Sequence, residues 1–76
     1  MKGENLNRIK AVLADKHVTQ KELAKALKVT PGAVSTWCRN FKQPDLQTLF
    51  EIASHINVEA SSLLSSMEDA GYTKNK

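Results

Sequence analysis

The amino-acid sequence predicts an all-α domain of five short helices, and three observations support that class. Apolar residues recur at intervals of three and four, which is the spacing of one face of a helix. No segment alternates apolar and polar residues over five or six positions, so strands are not expected. Residues that favour the starts of helices also recur along the chain, namely Thr19, Thr30 and Asp45.

The first helix is predicted over residues 5–16, where four apolar side chains share one face. They are Leu6, Ile9, Val12 and Leu13. The sequence TQKE at residues 19–22 then fits a capping box, in which the Thr19 hydroxyl and the Glu22 carboxylate each accept from the other's backbone N–H. A second helix should therefore begin at Gln20. Its predicted buried face consists of Leu23, Ala24 and Leu27.

The third and fourth helices are each predicted to begin after a capping residue. Thr30 precedes Pro31, which fits the first helical position because the missing N–H of proline costs nothing there. The third helix should end near Arg39 or Asn40, and its predicted inward residues are Val34, Trp37 and Cys38. Asp45 should cap the fourth helix, whose predicted inward stripe is Leu46, Leu49, Phe50, Ile52, Ala53 and Ile56.

A short fifth helix that holds Leu63 and Leu64 and extends towards Met67 is predicted after Asn57, which suits a left-handed helix end. Residues 1–67 then form one domain, and residues 68–76 are expected to be a flexible polar tail. A chain of 76 residues has room for one small domain with a thin core.

Charge is divided unevenly along the chain. Residues 1–42 carry nine Lys or Arg and three Asp or Glu, whereas residues 43–76 carry two Lys or Arg and five Asp or Glu. The net charge of the whole chain is +3. A footprint for a polyanion is therefore expected in the first half. From charge alone, a chance distribution of solvated side chains explains this division equally well.

Other classes of function receive little support from the sequence. The single cysteine, Cys38, excludes an intrachain disulfide and is expected to be a small buried hydrophobe. No Ser/His/Asp set, Cys/His set or Gly-rich phosphate loop is present, so neither an enzyme nor a metal or cofactor site is expected. No apolar run approaches the roughly 20 residues that span a bilayer, so we expect a cytoplasmic protein with no membrane or small-molecule partner.

Two segments in order carry a family resemblance: TQKELAKALKVTPGAVSTW at residues 19–37 and KQPDLQTLFEIASHINVEASSLL at residues 42–64. They resemble the Cro/phage-repressor family, the XRE-type helix-turn-helix proteins. The resemblance implies a compact λ-repressor-like five-helix DNA-binding domain with a central helix-turn-helix. Lys28 stands where the family usually has glycine, so a left-handed Lys28 is expected to cost about 1 kcal/mol. Leu13 and Cys38 stand where some members pair arginine with glutamate, which predicts contact between these two apolar residues.

The same resemblance implies that the chain is a sequence-specific double-stranded DNA-binding transcriptional regulator. Its third helix should enter the major groove, while the second helix and the loop after the third contact phosphates. The outward residues of the third helix include no Arg, Lys, Gln or Asn, so direct base readout should be modest. The predicted DNA-contacting residues are Gln20, Lys21, Lys28, Thr30, Pro31, Gly32, Ser35, Thr36, Arg39, Asn40, Lys42 and Gln43.

A homodimer on a palindromic operator is expected because members of the family usually dimerise. The predicted dimer interface is Val58, Leu64 and Met67, and the alternative is that these residues close the core of the monomer. A rival function is a protein-interaction module, such as an antitoxin-type regulator that uses the surface of helices four and five. Steep loss of DNA binding with salt would favour the DNA-binding function.

Overall fold

The structure is a computed structural model that describes residues 5–75, and this part of the chain is all-α, as predicted. Its helices are α1 (Ile9–Asp15), α2 (Gln20–Leu27), α3 (Pro31–Cys38) and α4 (Leu46–Ile56), followed by a 3₁₀ helix (Ala60–Leu63). The fifth element is therefore a single 3₁₀ turn rather than an α-helix. Residues 1–4 of the predicted domain and residue 76 of the predicted tail lie outside the described residues.

The first helix begins at Ile9, later than the predicted start at Asn5. The chain before it is extended and pairs with the segment that follows the 3₁₀ helix. Asn7 and Leu64 form an isolated antiparallel bridge, and the N–H of Ser65 donates to the carbonyl of Leu6 at 2.9 Å. Because these backbone groups are engaged across the fold, they cannot form helical hydrogen bonds.

The predicted caps of α2, α3 and α4 are confirmed. Thr19 and Glu22 form the reciprocal capping box, with hydrogen bonds of 3.0 Å to Thr19 Oγ1 and 2.8 Å to Glu22 Oε1. The side chains of Thr30 and Asp45 each accept from the backbone N–H three residues further on, at 3.1 and 2.8 Å. Hydrogen bonds to backbone N–H groups lower the pKa of Glu22 and of Asp45, because they stabilise the charged carboxylate.

All four α-helices end in the same way, with a left-handed residue that is not glycine. The residues are His17, Lys28, Asn40 and Asn57, with φ between 58° and 62°. At each end the following N–H returns to the last turn of the helix, as in the 3.0 Å bond from Val29 to the carbonyl of Ala24. The predicted left-handed conformation of Lys28 is confirmed, and each such residue costs about 1 kcal/mol.

The core lies where the helices meet. The largest fully buried side chains are Ile9, Leu23, Val34, Ile52 and Leu63. Leu13 and Cys38 are both buried in this one cluster, and α1 packs against α3, in keeping with the expected apolar replacement of a charged pair. Burial raises the pKa of the Cys38 thiol, which disfavours the reactive thiolate.

The predicted inward stripe of α4 is wrong at two positions. Leu46 is 74% exposed and Phe50 is 63% exposed. The buried face of α4 is already filled by Leu49, Ile52, Ala53 and Ile56. Leu46 and Phe50 are one turn apart beside this face, so they share a second, outward stripe.

The segment that begins the predicted flexible tail contains hydrogen-bonded turns. The N–H of Ala70 donates to the carbonyl of Ser66 at 2.9 Å, and that of Tyr72 donates to the carbonyl of Met67 at 2.9 Å. Ala70 is buried as a result. Within residues 5–75, no helix combines the length and the hydropathy that a membrane crossing requires.

Candidate nucleic-acid interface

The helix-turn-helix consists of α2, α3 and the three-residue link between them. The two helices pack closely, with the left-handed Lys28 turning the chain and Val29 packing against the core. Gln20, the first residue of α2, is half-buried, and Lys21 beside it is exposed. The three predicted phosphate-contacting residues of this segment, Gln20, Lys21 and Lys28, therefore lie at the two ends of one helix.

The first turn of α3 presents a small, uncharged surface. Thr30, Pro31 and Gly32 are exposed, whereas Ser35 and Thr36 are half-buried. A Cβ added at Gly32 would meet only Thr30 Oγ1, at an ordinary contact distance of 3.8 Å. The fold itself therefore does not need glycine at this position.

The hydroxyl groups of α3 are partly engaged within the helix. Thr36 Oγ1 donates to the carbonyl of Ala33 at 2.7 Å, so its proton is already used. Thr36 can therefore contact an external partner only through its methyl group or by accepting a hydrogen bond at its hydroxyl oxygen. The Thr30 hydroxyl accepts the capping bond from the Ala33 amide at 3.1 Å.

Asn7, which the sequence analysis did not single out, anchors the end of α3. It is buried at 5% exposure, and its Oδ1 accepts from the N–H of Ile9, the first residue of α1, at 3.0 Å. Two hydrogen bonds join the backbone of Asn7 to the side chain of Asn40. The N–H of Asn7 donates to Asn40 Oδ1 at 3.0 Å, and Asn40 Nδ2 donates to the Asn7 carbonyl at 3.1 Å. The same Asn7 side chain donates through Nδ2 to the carbonyl of Trp37 at 2.9 Å and to Gln43 Oε1 at 2.6 Å.

This network joins two of the predicted DNA-contacting residues, Asn40 and Gln43, to other residues of the chain. Gln43 Nε2 donates to Asn40 Oδ1 at 3.1 Å, so the amides of both residues already have partners. The bond from the N–H of Ile9 to Asn7 Oδ1 spans only two residues, a local pattern that asparagine often forms and that the sequence could have indicated. The other partners of Asn7 are separated from it by 30 to 36 residues, and no local pattern indicates such pairs.

Arg39 and Lys42 present their charges at the surface beside this network. The guanidinium carbon of Arg39 lies 4.4 Å from the centroid of the Phe41 ring, a cation–π arrangement. Phe41 itself is 68% exposed. The loop after α3 thus has a polar inner side and a basic, aromatic outer side.

The residues predicted to form a dimer interface differ in exposure. Val58 is half-buried against the core, whereas Leu64 is 48% exposed and Met67 is 46% exposed. Among residues 5–75, no group of His, Cys, Asp and Glu side chains could hold a metal ion.

Comparisons with known proteins agree with this geometry. A family model described as helix-turn-helix matches residues 9–63. A candidate DNA-binding protein from Bacteroides fragilis is 40% identical with a TM-score of 0.78, and the match covers 79% of this chain and 97% of that one. The clp gene regulator ClgR from C. glutamicum is 30% identical with a TM-score of 0.67, over 71% of this chain and 70% of that one.

A third solved structure is more distant in sequence. The SOS-response transcriptional repressor LexA from Eubacterium rectale is 25% identical with a TM-score of 0.69, over 91% of this chain and 82% of that one. A comparison with curated proteins found no significant match.

Proposed function

The chain belongs to the helix-turn-helix family whose model covers residues 9–63, and we propose that it regulates transcription by placing α3 in the major groove of double-stranded DNA. The observation that carries this proposal is the first turn of α3. It is exposed and uncharged, and its Gly32 has room for a side chain that it lacks. A bare backbone at that point allows a close approach to the edges of the bases.

Phosphate contacts in this proposal come from both sides of α3. The side-chain amide of Gln20 and the backbone N–H groups at the start of α2 donate to one phosphate, and Lys21 and Lys28 supply charge nearby. On the other side, Arg39 and Lys42 contact the backbone of the DNA. Asn40 and Gln43 shape this loop through Asn7, and the proposal keeps them as contacts to the DNA backbone beside Arg39 and Lys42.

Base readout in this proposal is modest. Pro31 and the Thr36 methyl group contact thymine methyl groups, and Ser35 forms one hydrogen bond in either direction. None of these contacts is bidentate, so water and the sequence-dependent shape of the DNA contribute the remaining specificity. The exposed end of α3 therefore selects among sequences less sharply than an arginine-bearing helix would.

A palindromic operator bound by a homodimer completes the proposal, because one copy of α3 covers only half of such a site. The interface predicted from the sequence, Val58, Leu64 and Met67, stays a prediction. A second candidate function, a protein-interaction module of the antitoxin type, is favoured by the exposed apolar side chains of α4, Leu46 and Phe50.

The roles of Gln20 and Thr36 are tested by binding to two duplexes, one recovered by selection from a random pool and one with its sequence scrambled. Gln20→Ala should weaken binding to both by about tenfold to a hundredfold, the worth of one charge-assisted hydrogen bond. Thr36→Ala should weaken only the selected duplex. Equal effects of the two substitutions on both duplexes would contradict the assignment.

Gly32→Ala separates binding from folding. The substitution should raise the free energy of unfolding by about 0.5 kcal/mol, because alanine loses less conformational entropy in a helix and its methyl group fits. It should also weaken binding to the selected duplex, since the methyl group stands between the backbone and the DNA. If the variant were more stable but bound the selected duplex as tightly as the unaltered chain, the proposed close approach of DNA to the backbone of residue 32 would be wrong.

A further inference from the structure

Phe41, the residue after the left-handed end of α3, departs from the rule that the other helix ends follow. After α1, α2 and α4, the residue in this position is a valine that packs against the core, namely Val18, Val29 and Val58. The ring of Phe41 is instead 68% exposed. The fold therefore does not use this side chain for the apolar contact that commonly closes such a helix end.

The backbone around Phe41 is fixed by hydrogen bonds. Its own N–H donates to the carbonyl of Thr36 at 3.0 Å, and the N–H of Asn40 donates to the carbonyl of Trp37 at 3.0 Å. The Asn40 side chain is in turn joined to the backbone of Asn7 by hydrogen bonds of 3.0 and 3.1 Å. The exposed ring therefore projects from backbone that the fold holds in place.

The Arg39 side chain lies over this ring. Its guanidinium carbon is 4.4 Å from the ring centroid, within the range of about 6 Å in which an aromatic face attracts a cation. The attraction acts on the charge of the guanidinium and leaves its N–H groups able to donate to a phosphate oxygen. Arg39 is itself exposed and directly follows the last residue of α3, so the pair adjoins the proposed DNA surface.

The charges near the ring favour an anionic partner. Arg39 and Lys42 are exposed cations on either side of Phe41 in the sequence. The carboxylate nearest to them in the sequence, that of Asp45, accepts from the backbone N–H of Thr48 at 2.8 Å, where it caps α4. Its negative charge thus stabilises the start of that helix, and positive charge remains in excess around the ring.

We infer that Phe41 is a positioning residue for DNA binding: its ring holds the guanidinium of Arg39 where a phosphate of the DNA backbone can accept from it. The inference rests on the proposed DNA-binding function. An arginine side chain loses rotamer freedom when a phosphate fixes it. A ring on fixed backbone restricts that freedom before DNA binds, so less is lost in the complex. The ring has to be exposed for this role, because the cation that it holds lies at the surface.

The size of the effect follows from the strength of such pairs. A cation–π contact changes an equilibrium by about twofold to fivefold at an exposed site, and by more where a partner excludes water from it. DNA covers the pair in the complex, so loss of the aromatic face should weaken binding by about fivefold. Because the contact is to phosphate, the loss should be the same for different DNA sequences.

The test is a double-mutant cycle on two duplexes, one recovered by selection from a random pool and one with its sequence scrambled. Phe41→Leu keeps an apolar side chain and removes the aromatic face, whereas Phe41→Tyr keeps that face. Arg39→Gln removes the cation, and Arg39→Gln with Phe41→Leu completes the cycle. Phe50→Leu is the matched control, because it removes from α4 a ring of similar exposure, 63%.

We expect Phe41→Leu to weaken binding to both duplexes by about fivefold. It should lower the midpoint of thermal unfolding by no more than about 4 °C, because the ring is largely exposed. Phe41→Tyr and Phe50→Leu should each change the affinity by less than about twofold. In the Arg39→Gln background, Phe41→Leu should have no further effect, since the ring then has no cation to hold.

The inference fails if the ring acts without Arg39 or if Arg39 acts without the ring. An equal loss from Phe50→Leu, or a loss from Phe41→Leu that persists in the Arg39→Gln background, would show the first. Full affinity in Phe41→Leu with weakened binding in Arg39→Gln would show the second.

Two further results separate the inference from the function on which it rests. Undiminished binding by Arg39→Gln would remove Arg39 from the DNA surface, and the positioning role of Phe41 with it, but would leave the DNA-binding function standing. Failure of the unaltered chain to bind either duplex would reject the DNA-binding function as well.

Discussion

The ends of α2 and α3 share one backbone geometry and are stabilised by different means. Both place a left-handed residue after the helix, and both return the next N–H to the last turn at 3.0 Å. At α2, Val29 closes the motif by packing against the core. At α3, the side chain of Asn40 is tied to Asn7, and Phe41 stays exposed. One helix end is closed by a local apolar contact, and the other by a distant polar one that leaves an aromatic ring exposed.

Among substitutions that test this difference between the two helix ends, loss of the Asn7 side chain should have the largest effect on stability. Asn7→Ala leaves the N–H of Ile9, the carbonyl of Trp37 and Gln43 Oε1 without the partners that the Asn7 side chain supplies. The two bonds between Asn40 and the backbone of Asn7 remain. We expect the free energy of unfolding to fall by about 2–4 kcal/mol in urea denaturation. Asn5→Ala, two positions earlier and exposed, is the matched control and should change it by less than about 0.5 kcal/mol. Equal effects of the two substitutions would show that the network does not hold the end of α3.

The local half of this architecture could be predicted from the sequence. The caps of Thr19, Thr30 and Asp45 depend on residues three positions apart, and the left-handed Lys28 and Asn57 depend on the end of a helical stripe. Interactions of this range leave a recognisable pattern because both partners lie in one short window. The helix-turn-helix could be located for the same reason.

The long-range half could not be predicted. The start of α1 depends on pairing with Leu64 and Ser65, which lie more than fifty residues further along the chain. The hydrogen bonds of Asn40 and Gln43 with Asn7 likewise join residues that are 33 and 36 positions apart, so the sequence did not indicate them. The exposure of Leu46 and Phe50 was missed because helical spacing identifies apolar stripes but does not say how wide a face the core can cover.

Glycine substitutions at Lys28 and Asn40, the left-handed residues that end α2 and α3, should change the free energy of unfolding in opposite directions. Lys28→Gly should raise the free energy of unfolding by up to about 1 kcal/mol, because glycine removes the left-handed strain and Lys28 has no hydrogen-bonded side chain to lose. Asn40→Gly relieves the same strain but loses three hydrogen bonds of its side-chain amide, so we expect a fall of about 1–2 kcal/mol. Changes of the same sign in chemical denaturation would contradict the distinction between the two ends.

The smallest expected difference in the free energy of unfolding is between substitutions at Val29 and Phe41, the residues that follow Lys28 and Asn40. Val29→Ala should lower the free energy of unfolding by about 1 kcal/mol, because the side chain packs against the core. Phe41→Ala, although it removes more atoms, should lower it by less than about 0.5 kcal/mol, since the ring is largely exposed. A larger loss for Phe41 than for Val29 would mean that the ring packs within the fold.

The salt dependence of DNA binding tests the central claim most directly. Binding of the chain to a random-sequence duplex can be followed by fluorescence anisotropy between about 50 and about 200 mM salt. Contacts of four basic residues, Lys21, Lys28, Arg39 and Lys42, with phosphates predict a loss of affinity of about a hundredfold over this range. An affinity that salt leaves unchanged, or no binding at the lower concentration, would contradict the account and favour a protein partner.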